Sequence, residues 1–367
     1  MFEDIQFQVL PGNDDDAFRT WDIAPGGGGG GGGDDVGLRH VVEQIRAPQA
    51  WSLSRGSGVT IAVVDTGVDK DLREVNAARR HPANLRTAYV GKHWDDEEGH
   101  GSMCAAIAAG SKSGGGYFDG VAPEATVLSA RTTLGSTDLF DVYDELILAK
   151  SDNRIAGPLV ITNSYGLYVC STPNVMPQDH PFLANVLSAI DAGAFVCFAA
   201  GNNHVETCSY DPTQCGPNSI WGPNSHDRVV SVGTVDRNLS NRDNATPHVD
   251  SSRGPGEWAR EFPKPDCVAP TYGMVPWGGQ YTRMDWWGTS GACPQVAGLA
   301  ALLLSLRPAL QPGDAANVIR DSCRTTGAGP GCVGRGVINC EAAIGLLASS
   351  QIALDGPGGS PAGLPRA

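Results

Sequence analysis

The sequence has no uninterrupted apolar run that approaches the roughly 20 residues of a membrane-spanning helix. Its first residues contain neither the basic segment nor the long apolar segment of a secretory signal. Basic residues are scarce, 26 against 40 acidic ones, and the net charge of -14 argues against binding to a phosphate backbone. We therefore expect no membrane and no nucleic-acid partner. The expected location is cytoplasmic; the alternative is a secreted protein whose signal and prodomain are absent from this chain.

Ten cysteines are present, but no two of them form a Cys-x-x-Cys pair, so the sequence does not predict a zinc site. Cys208 and Cys215 bracket a short loop, and a second group lies near the end at Cys323, Cys332 and Cys340. In a secreted chain these groups would indicate local disulfides. The cysteines within apolar or motif segments are expected to be buried thiols: Cys104, Cys197, Cys267 and Cys293.

Composition divides the chain into four segments. Residues 1–25 form an N-terminal extension with one strand-like run, Ile5 to Leu10, that is read as a loose tail, an added edge strand or a cover over the active site. Residues 26–34 are a glycine-rich linker, natural or engineered. The main folded domain is expected at 35–348, and a flexible Gly/Pro/Ala-rich tail at 349–367.

Apolar β-branched runs alternate with helical segments from residue 41 onward. Such alternation predicts a mostly parallel sheet with helices on both faces. The predicted strands are Val59–Val64, Val127–Ala130, Leu159–Thr162, Phe195–Ala199 and Val229–Val235. The predicted helices are Ser102–Ala109, Asp138–Ala149, Phe182–Ala192 and Leu299–Leu306.

Four polar residues stand at the ends of these elements. Asp65 directly follows a buried strand, Asn202 lies in a turn after another, and His100 opens a small-residue helix between two glycines. Ser290 lies in a Gly-Thr-Ser turn that runs into an Ala/Leu-rich helix, where free N–H groups and the helix dipole favour a developing oxyanion. An aspartate, a histidine, a serine and a strand-end asparagine are together what acyl transfer requires.

The segments around these residues resemble the subtilisin-like serine peptidases, the subtilases. The order Asp, His, Ser matches, and the three family signatures correspond to VVDTGVD, GHGSMCAAIAAG and GTSGACPQVAG. FAAGNN resembles the segment with the oxyanion-hole asparagine, ITNSYG the edge strand that pairs with substrate, and SSRGP and KPDCVAP match further recurring pieces. The resemblance implies an α/β, three-layer subtilisin-like fold.

The resemblance also implies a role for each polar residue. Asp65, His100 and Ser290 correspond to the catalytic triad, and Asn202 to the donor that stabilises the oxyanion. The backbone of Ser164, Tyr165 and Gly166 would hold an extended protein or peptide substrate through main-chain hydrogen bonds. The implied function is a serine endopeptidase, either general or dedicated to processing one substrate. The alternative is a catalytically silent peptide-binding module, which has no need for all four residues.

Two features depart from the family pattern. The loop Ser111–Asp119 matches the family's strong calcium-site loop in position only, because glycine or lysine stands where oxygen-bearing side chains would help. Even with Asp71 the oxygens are too few for a cation that needs six or more, so no cofactor is predicted and calcium is left open. In addition, no folding prodomain is recognisable, and residues 1–25 are a candidate for self-inhibition. If so, deletion of residues 1–33 should raise activity.

Overall fold

Six parallel strands form the centre of the computed structural model, which describes residues 3–9, 19–20, 37–170, 175–236, 245–277 and 279–355. The predicted linker at 26–34 lies outside the described residues. Strands β2 to β7 form the central sheet in the order β3-β2-β4-β5-β6-β7, and β1, β9 and β8 form a small antiparallel sheet. The strands are β1 Arg19–Thr20, β2 Thr60–Asp65, β3 Thr126–Arg131, β4 Leu159–Asn163, β5 Phe195–Ala199, β6 Val230–Val235, β7 Cys267–Pro270, β8 Gly273–Trp277 and β9 Gln280–Met284.

Strand β2 shows why this sheet needs cover on both faces. All six of its residues are buried, and its β-branched side chains suit a pleated, fully enclosed strand. Ile61 and Val63 point into one hydrophobic cluster, whereas Ala62 and Val64 point into the other. Because neighbouring side chains of a strand face opposite sides, the sheet separates two cores. The three-layer α/β fold is therefore confirmed.

Helices enclose the two cores. The pair α4 and α5 pack together on one side of the sheet, and α3 and α6 on the other. Short 3-10 turns lie at Ala77–Arg79 and Gly222–Ser225, and a π-helical turn at Asn203–Thr207. The α-helices are α1 Leu38–Gln44, α2 Ala47–Ala50, α3 His100–Ala109, α4 Ser136–Ser151, α5 Pro181–Asp191, α6 Gly288–Leu306, α7 Pro312–Ser322, α8 Pro330–Val333 and α9 Cys340–Asp355.

Helices α6 and α9 can be compared with two expectations from the sequence, the absence of a membrane span and the start of a flexible tail. Within the described ranges, α6 is the one helix long and apolar enough to cross a membrane, but 89% of its most apolar window is buried inside the molecule. It is the central core helix, packed against five strands of the sheet and α3. Helix α9 continues to Asp355. It therefore extends past residue 349, where the sequence placed the start of the flexible tail, because the apolar helical pattern persists beyond that point.

The disulfides differ from the local pairs that the cysteine spacing suggested. Cys208 bonds to Cys170, and Cys215 bonds to Cys332, with sequence separations of 38 and 117 residues. The prediction was wrong because folding brings distant loops together, and spacing along the chain carries no information about that approach. The four cysteines expected as buried thiols are free and buried, as predicted.

Candidate active site

Asp65 and His100 form a buried pair at the carboxyl edge of the sheet. Asp65 is the last residue of β2, and His100 is the first residue of α3. His100 Nδ1 lies 2.6 Å from Asp65 Oδ1, and the side chains are 2% and 1% exposed. The Thr66 amide donates a second hydrogen bond to the same carboxylate oxygen, at 2.8 Å. The carboxylate therefore fixes Nδ1 as the protonated nitrogen and leaves Nε2 to act as a base.

The charges around His100 favour its protonated form. Burial by itself lowers the pKa of this imidazole, but the attraction and hydrogen bond of Asp65 oppose that effect, and Asp96 and Glu98 add to the opposition. The net result is a pKa raised above its ordinary value of 6.5. A base whose conjugate acid is stabilised in this way can take a proton from a hydroxyl during attack.

Ser290 lies in the first turn of α6, at the same edge of the sheet. Its hydroxyl donates to the Ser164 carbonyl at 3.1 Å. His100 Nε2 is buried and accepts no hydrogen bond from the described part of the chain. The serine hydroxyl therefore makes no hydrogen bond to the base in this conformation.

Asn202 is held beside the serine by its amide oxygen. Asn202 Oδ1 accepts from the Thr289 amide at 3.0 Å and from the Thr289 hydroxyl at 2.8 Å. These contacts distinguish the oxygen from the nitrogen of the amide, so Nδ2 is the atom that can donate. Gly288, the first residue of α6, has a φ of 65°. It has no room for a side chain, because a Cβ there would lie 2.6 Å from Asn202 Nδ2. Backbone and side chain therefore place a donor next to the candidate nucleophile.

The predicted substrate-binding edge is already paired with the chain's own N-terminal segment. The Gly166 amide donates to the Gln8 carbonyl and the Gln8 amide donates to the Gly166 carbonyl, both at 3.1 Å. On the other side of the segment, the Phe7 amide donates to the Leu134 carbonyl at 2.9 Å. Residues 3–9 therefore lie between two backbone edges, with bridges at Gln6 and Gln8. The strand-like run predicted at Ile5 to Leu10 overlaps this segment over residues 5–9, and Leu10 lies outside the described residues.

Side chains complete this pairing. Phe7 is fully buried, and its ring meets those of Tyr165 and Phe182 edge to face, with centroids 5.6 and 5.5 Å apart. Nearer the chain start, Asp4 accepts hydrogen bonds from the Ser136 hydroxyl and the Thr137 amide. Burial of a whole aromatic side chain contributes about 1.5–3 kcal/mol. The segment is therefore bound by its side chains as well as by its backbone.

The two acidic residues considered for the calcium-loop position are both bound to protein donors. Within the described residues, the Asp119 carboxylate accepts the Lys112 amide of its own loop at 2.8 Å. Asp71, the other acid considered, is exposed and pairs with Lys70 at 2.9 Å. Both carboxylates accept hydrogen bonds from protein groups. The glycines of the Ser111–Asp119 loop have no side-chain oxygen to offer. By themselves the two carboxylates supply too few oxygens for a calcium ion, which needs six or more.

Two residues beside His100 had not been singled out as part of the site. Cys104 lies one helical turn after His100, with its sulfur 3.9 Å from Nδ1, and burial raises the pKa of this thiol well above its usual range. Trp277, at the end of β8, places its ring at right angles to the imidazole with centroids 5.8 Å apart. A helical spacing of four could have pointed to Cys104. Nothing in the local sequence points to Trp277.

Comparison with known proteins gives one consistent result. A family model described as the subtilase family matches residues 56–336. Serine protease AprX of Bacillus subtilis is 30% identical over 332 residues, which cover 83% of this chain and 70% of that protein. A calcium-dependent protease of Trichormus variabilis is 27% identical over 323 residues, covering 78% and 45%. The crystal structure of MycP1 with its N-terminal propeptide removed matches with a TM-score of 0.62 at 26% identity, covering 83% of this chain and 96% of that one.

Proposed function

The chain belongs to the subtilase family and is a serine endopeptidase, and we propose that Asp65, His100 and Ser290 are its catalytic triad. The observation that carries this assignment is the buried 2.6 Å contact of His100 with Asp65, at the same sheet edge as a serine in the first turn of a helix. Asn202 is the proposed oxyanion donor, since its oxygen is occupied by Thr289 and its nitrogen is the donor atom.

The proposed reaction begins when the Ser290 hydroxyl leaves the Ser164 carbonyl and turns to His100 Nε2. The serine oxygen then attacks the substrate carbonyl, Nε2 takes the hydroxyl proton, and the carbonyl oxygen becomes an anion. Asn202 Nδ2 stabilises that anion, which is typically worth about 2.7–4 kcal/mol. The imidazolium returns the proton to the leaving amine as the peptide bond breaks. Water hydrolyses the acyl-enzyme by the same sequence of proton transfers.

A fluorophosphonate probe tests the triad, because it reacts with an activated serine. We expect the wild type to be labelled and Ser290→Ala not to be labelled. Ser305→Ala serves as the matched control, since Ser305 lies near the other end of α6 and its hydroxyl donates to the Ser57 carbonyl, far from the site. Equal labelling of wild type and Ser290→Ala would refute the assignment of the nucleophile.

Ser164, Tyr165 and Gly166 are the proposed binding edge for extended polypeptide substrates. Main-chain hydrogen bonds to such an edge hold any extended peptide, and pockets beside it add preference. Support comes from the N-terminal segment itself, whose Gln8 already exchanges two backbone hydrogen bonds with Gly166. A protein or peptide is therefore the proposed partner.

Self-inhibition follows from the same contacts. Residues 3–9 fill the edge that a substrate would use, and Phe7 anchors them in a buried aromatic cluster. Gln8→Pro removes the amide that donates to Gly166, whereas Gln8→Ala keeps it. We expect Gln8→Pro and Phe7→Ala to hydrolyse a small peptide substrate faster than the wild type does, and Gln8→Ala to match the wild type. Unchanged turnover in both of the first two variants would reject self-inhibition.

An oxidising compartment is the proposed location, in line with the secreted alternative. The supporting observation is the pair of disulfides, which form and persist outside reducing compartments. Counting thiols with a maleimide under denaturing conditions tests this proposal on protein isolated from its source. Six cysteines should react before reduction and ten afterwards. Ten reactive thiols before reduction would favour the cytoplasm.

A further inference from the structure

The hairpin of β8 and β9 brings an aromatic ring against the candidate catalytic histidine. The two strands pair antiparallel from Gly273 opposite Met284 to Trp277 opposite Gln280. Strand β8 also packs along α3, the helix that begins with His100. The Trp277 and His100 rings are perpendicular, at 86°, with centroids 5.8 Å apart. The imidazole therefore has an aromatic neighbour in addition to Asp65 and Cys104.

The strand that carries Trp277 is firmly held. Met274 and Val275 are buried, and Val275 belongs to the hydrophobic cluster on the α3 and α6 side of the sheet. The Trp287 indole donates to the Gly273 carbonyl at 2.8 Å. Trp277 itself is half-buried at the end of β8. Its ring thus stands on a packed element, which positions a neighbouring group better than a loop does.

The imidazole needs such a neighbour because its contacts with Asp65 and Cys104 both lie at the same atom, Nδ1. The hydrogen bond to Asp65 holds Nδ1, but it leaves the ring plane able to tilt about that bond. Ser290 gives no help in this conformation, because its hydroxyl bonds to the Ser164 carbonyl. We propose that Trp277 is a positioning residue that holds the His100 ring plane for proton transfer and keeps water from the Asp65–His100 hydrogen bond. This inference rests on the proposed catalytic role of His100.

The effect of the indole is geometric, since the charges that face His100 come from other elements. They are Asp65 on β2 and Asp96 and Glu98 in the loop before α3, while the neighbouring Cys104 stays a neutral thiol. The indole adds no charge to this set. Its loss should therefore loosen the ring and admit water, and every charged group would remain in place.

Three variants separate positioning from bulk packing. Trp277→Leu removes the ring, and Trp277→Phe keeps an aromatic face. Trp286→Leu is the matched control, because Trp286 stacks on another histidine, His248, with centroids 4.0 Å apart and planes 5° from parallel. We expect Trp277→Leu to lower kcat about tenfold with little change in KM. Trp277→Phe should restore most of the loss, and Trp286→Leu should leave kcat unchanged.

A second readout does not depend on turnover. In the Ser290→Ala background, the His100 Nδ1 proton should give a low-field NMR signal that exchanges with water faster in Trp277→Leu than in Trp277→Phe. Equal exchange rates, or a loss of kcat/KM that comes from KM alone, would overturn the proposal. If Trp277→Leu does not fold, Trp277→Met is held to the same two criteria. A wild-type protein that is not labelled by fluorophosphonate and does not hydrolyse peptides would refute the proposed function. The proton-exchange measurement would still test the positioning role of Trp277.

Discussion

Gly288→Ala is expected to disable the proposed oxyanion donor, Asn202, without touching any residue of the proposed triad. Gly288 has a φ of 65°, and an added Cβ would lie 2.6 Å from Asn202 Nδ2 and 3.5 Å from Asn202 Cγ. Real side-chain carbons do not approach that closely, so the amide must move. The Asn202 oxygen is held at 3.0 and 2.8 Å by Thr289, which leaves the nitrogen end as the part that shifts. The donor would then no longer face the oxyanion.

Gly288→Ala is expected to have two separate effects, one on kcat and one on folding stability. Loss of one oxyanion donor typically lowers kcat by about 10²–10³, or about 2.7–4 kcal/mol in activation free energy. The left-handed backbone of an alanine adds a folding cost of about 1–2 kcal/mol that should appear in stability rather than in kcat. Gly193→Ala isolates the second part, because Gly193 has a φ of 90° and open space around its Cβ position. We expect that control to lose stability and to keep kcat.

A double-mutant cycle in steady-state peptide hydrolysis tests the reasoning. Asn202→Ala alone should lower kcat by a factor similar to that of Gly288→Ala. In the double variant the amide that Cβ would strike is gone, so the two losses should not multiply. Multiplicative losses would show that Gly288 acts on catalysis by a route other than Asn202. Unchanged kcat in Gly288→Ala would refute the assigned position of the donor.

Two further predictions concern the proton and the long disulfide. His100 must be neutral to accept the serine proton, and its pKa lies above 6.5. The kcat/KM of the wild type should therefore rise with pH through a midpoint above 6.5. In Asp65→Asn that midpoint should fall, and kcat should drop about 10⁴-fold. A pH profile with the same midpoint in both proteins would contradict this prediction. Cys215→Ser should lower the free energy of unfolding in urea by about 2–5 kcal/mol, whereas Cys323→Ser, at a free and half-buried thiol, should change it far less.

Local sequence predicted the parts of the fold whose causes are local. Strand β5 runs over Phe195–Ala199 as expected, and β2 ends at Asp65 instead of Val64. These runs are apolar, β-branched and bounded by turns, so their own residues determine the structure. The four candidate site residues lie at one sheet edge because parallel strands all end there. Position in the pattern was enough to bring them together.

The pairings between distant segments could not be predicted in the same way. Strands β8 and β9 contain a proline and a charged residue and show no clean alternation, and they form because they pair with each other beside α3. The partners of Cys170 and Cys215 lie 38 and 117 residues away. A cover over the active site was one of three interpretations of residues 1–25. The sequence did not predict that Gln8 would pair with Gly166. Register depends on which edges folding leaves open, and that is a property of the whole chain.

The orientation of Ser290 and the pairing of the N-terminal segment concern the same short strand edge. Ser164 accepts the serine hydroxyl, and two residues away Gly166 pairs with Gln8. A substrate on this edge would replace Gln8, and its carbonyl would arrive beside Ser290 as the hydroxyl turns to His100. If the proposed self-inhibition and substrate edge are correct, the N-terminal segment and the Ser164 carbonyl keep the reactants apart by separate contacts. Release of the N-terminal segment alone should give a substrate access to the Ser164–Gly166 edge. Attack still requires the Ser290 hydroxyl to leave the Ser164 carbonyl. Substrate binding and the chemical step are therefore expected to respond to different substitutions.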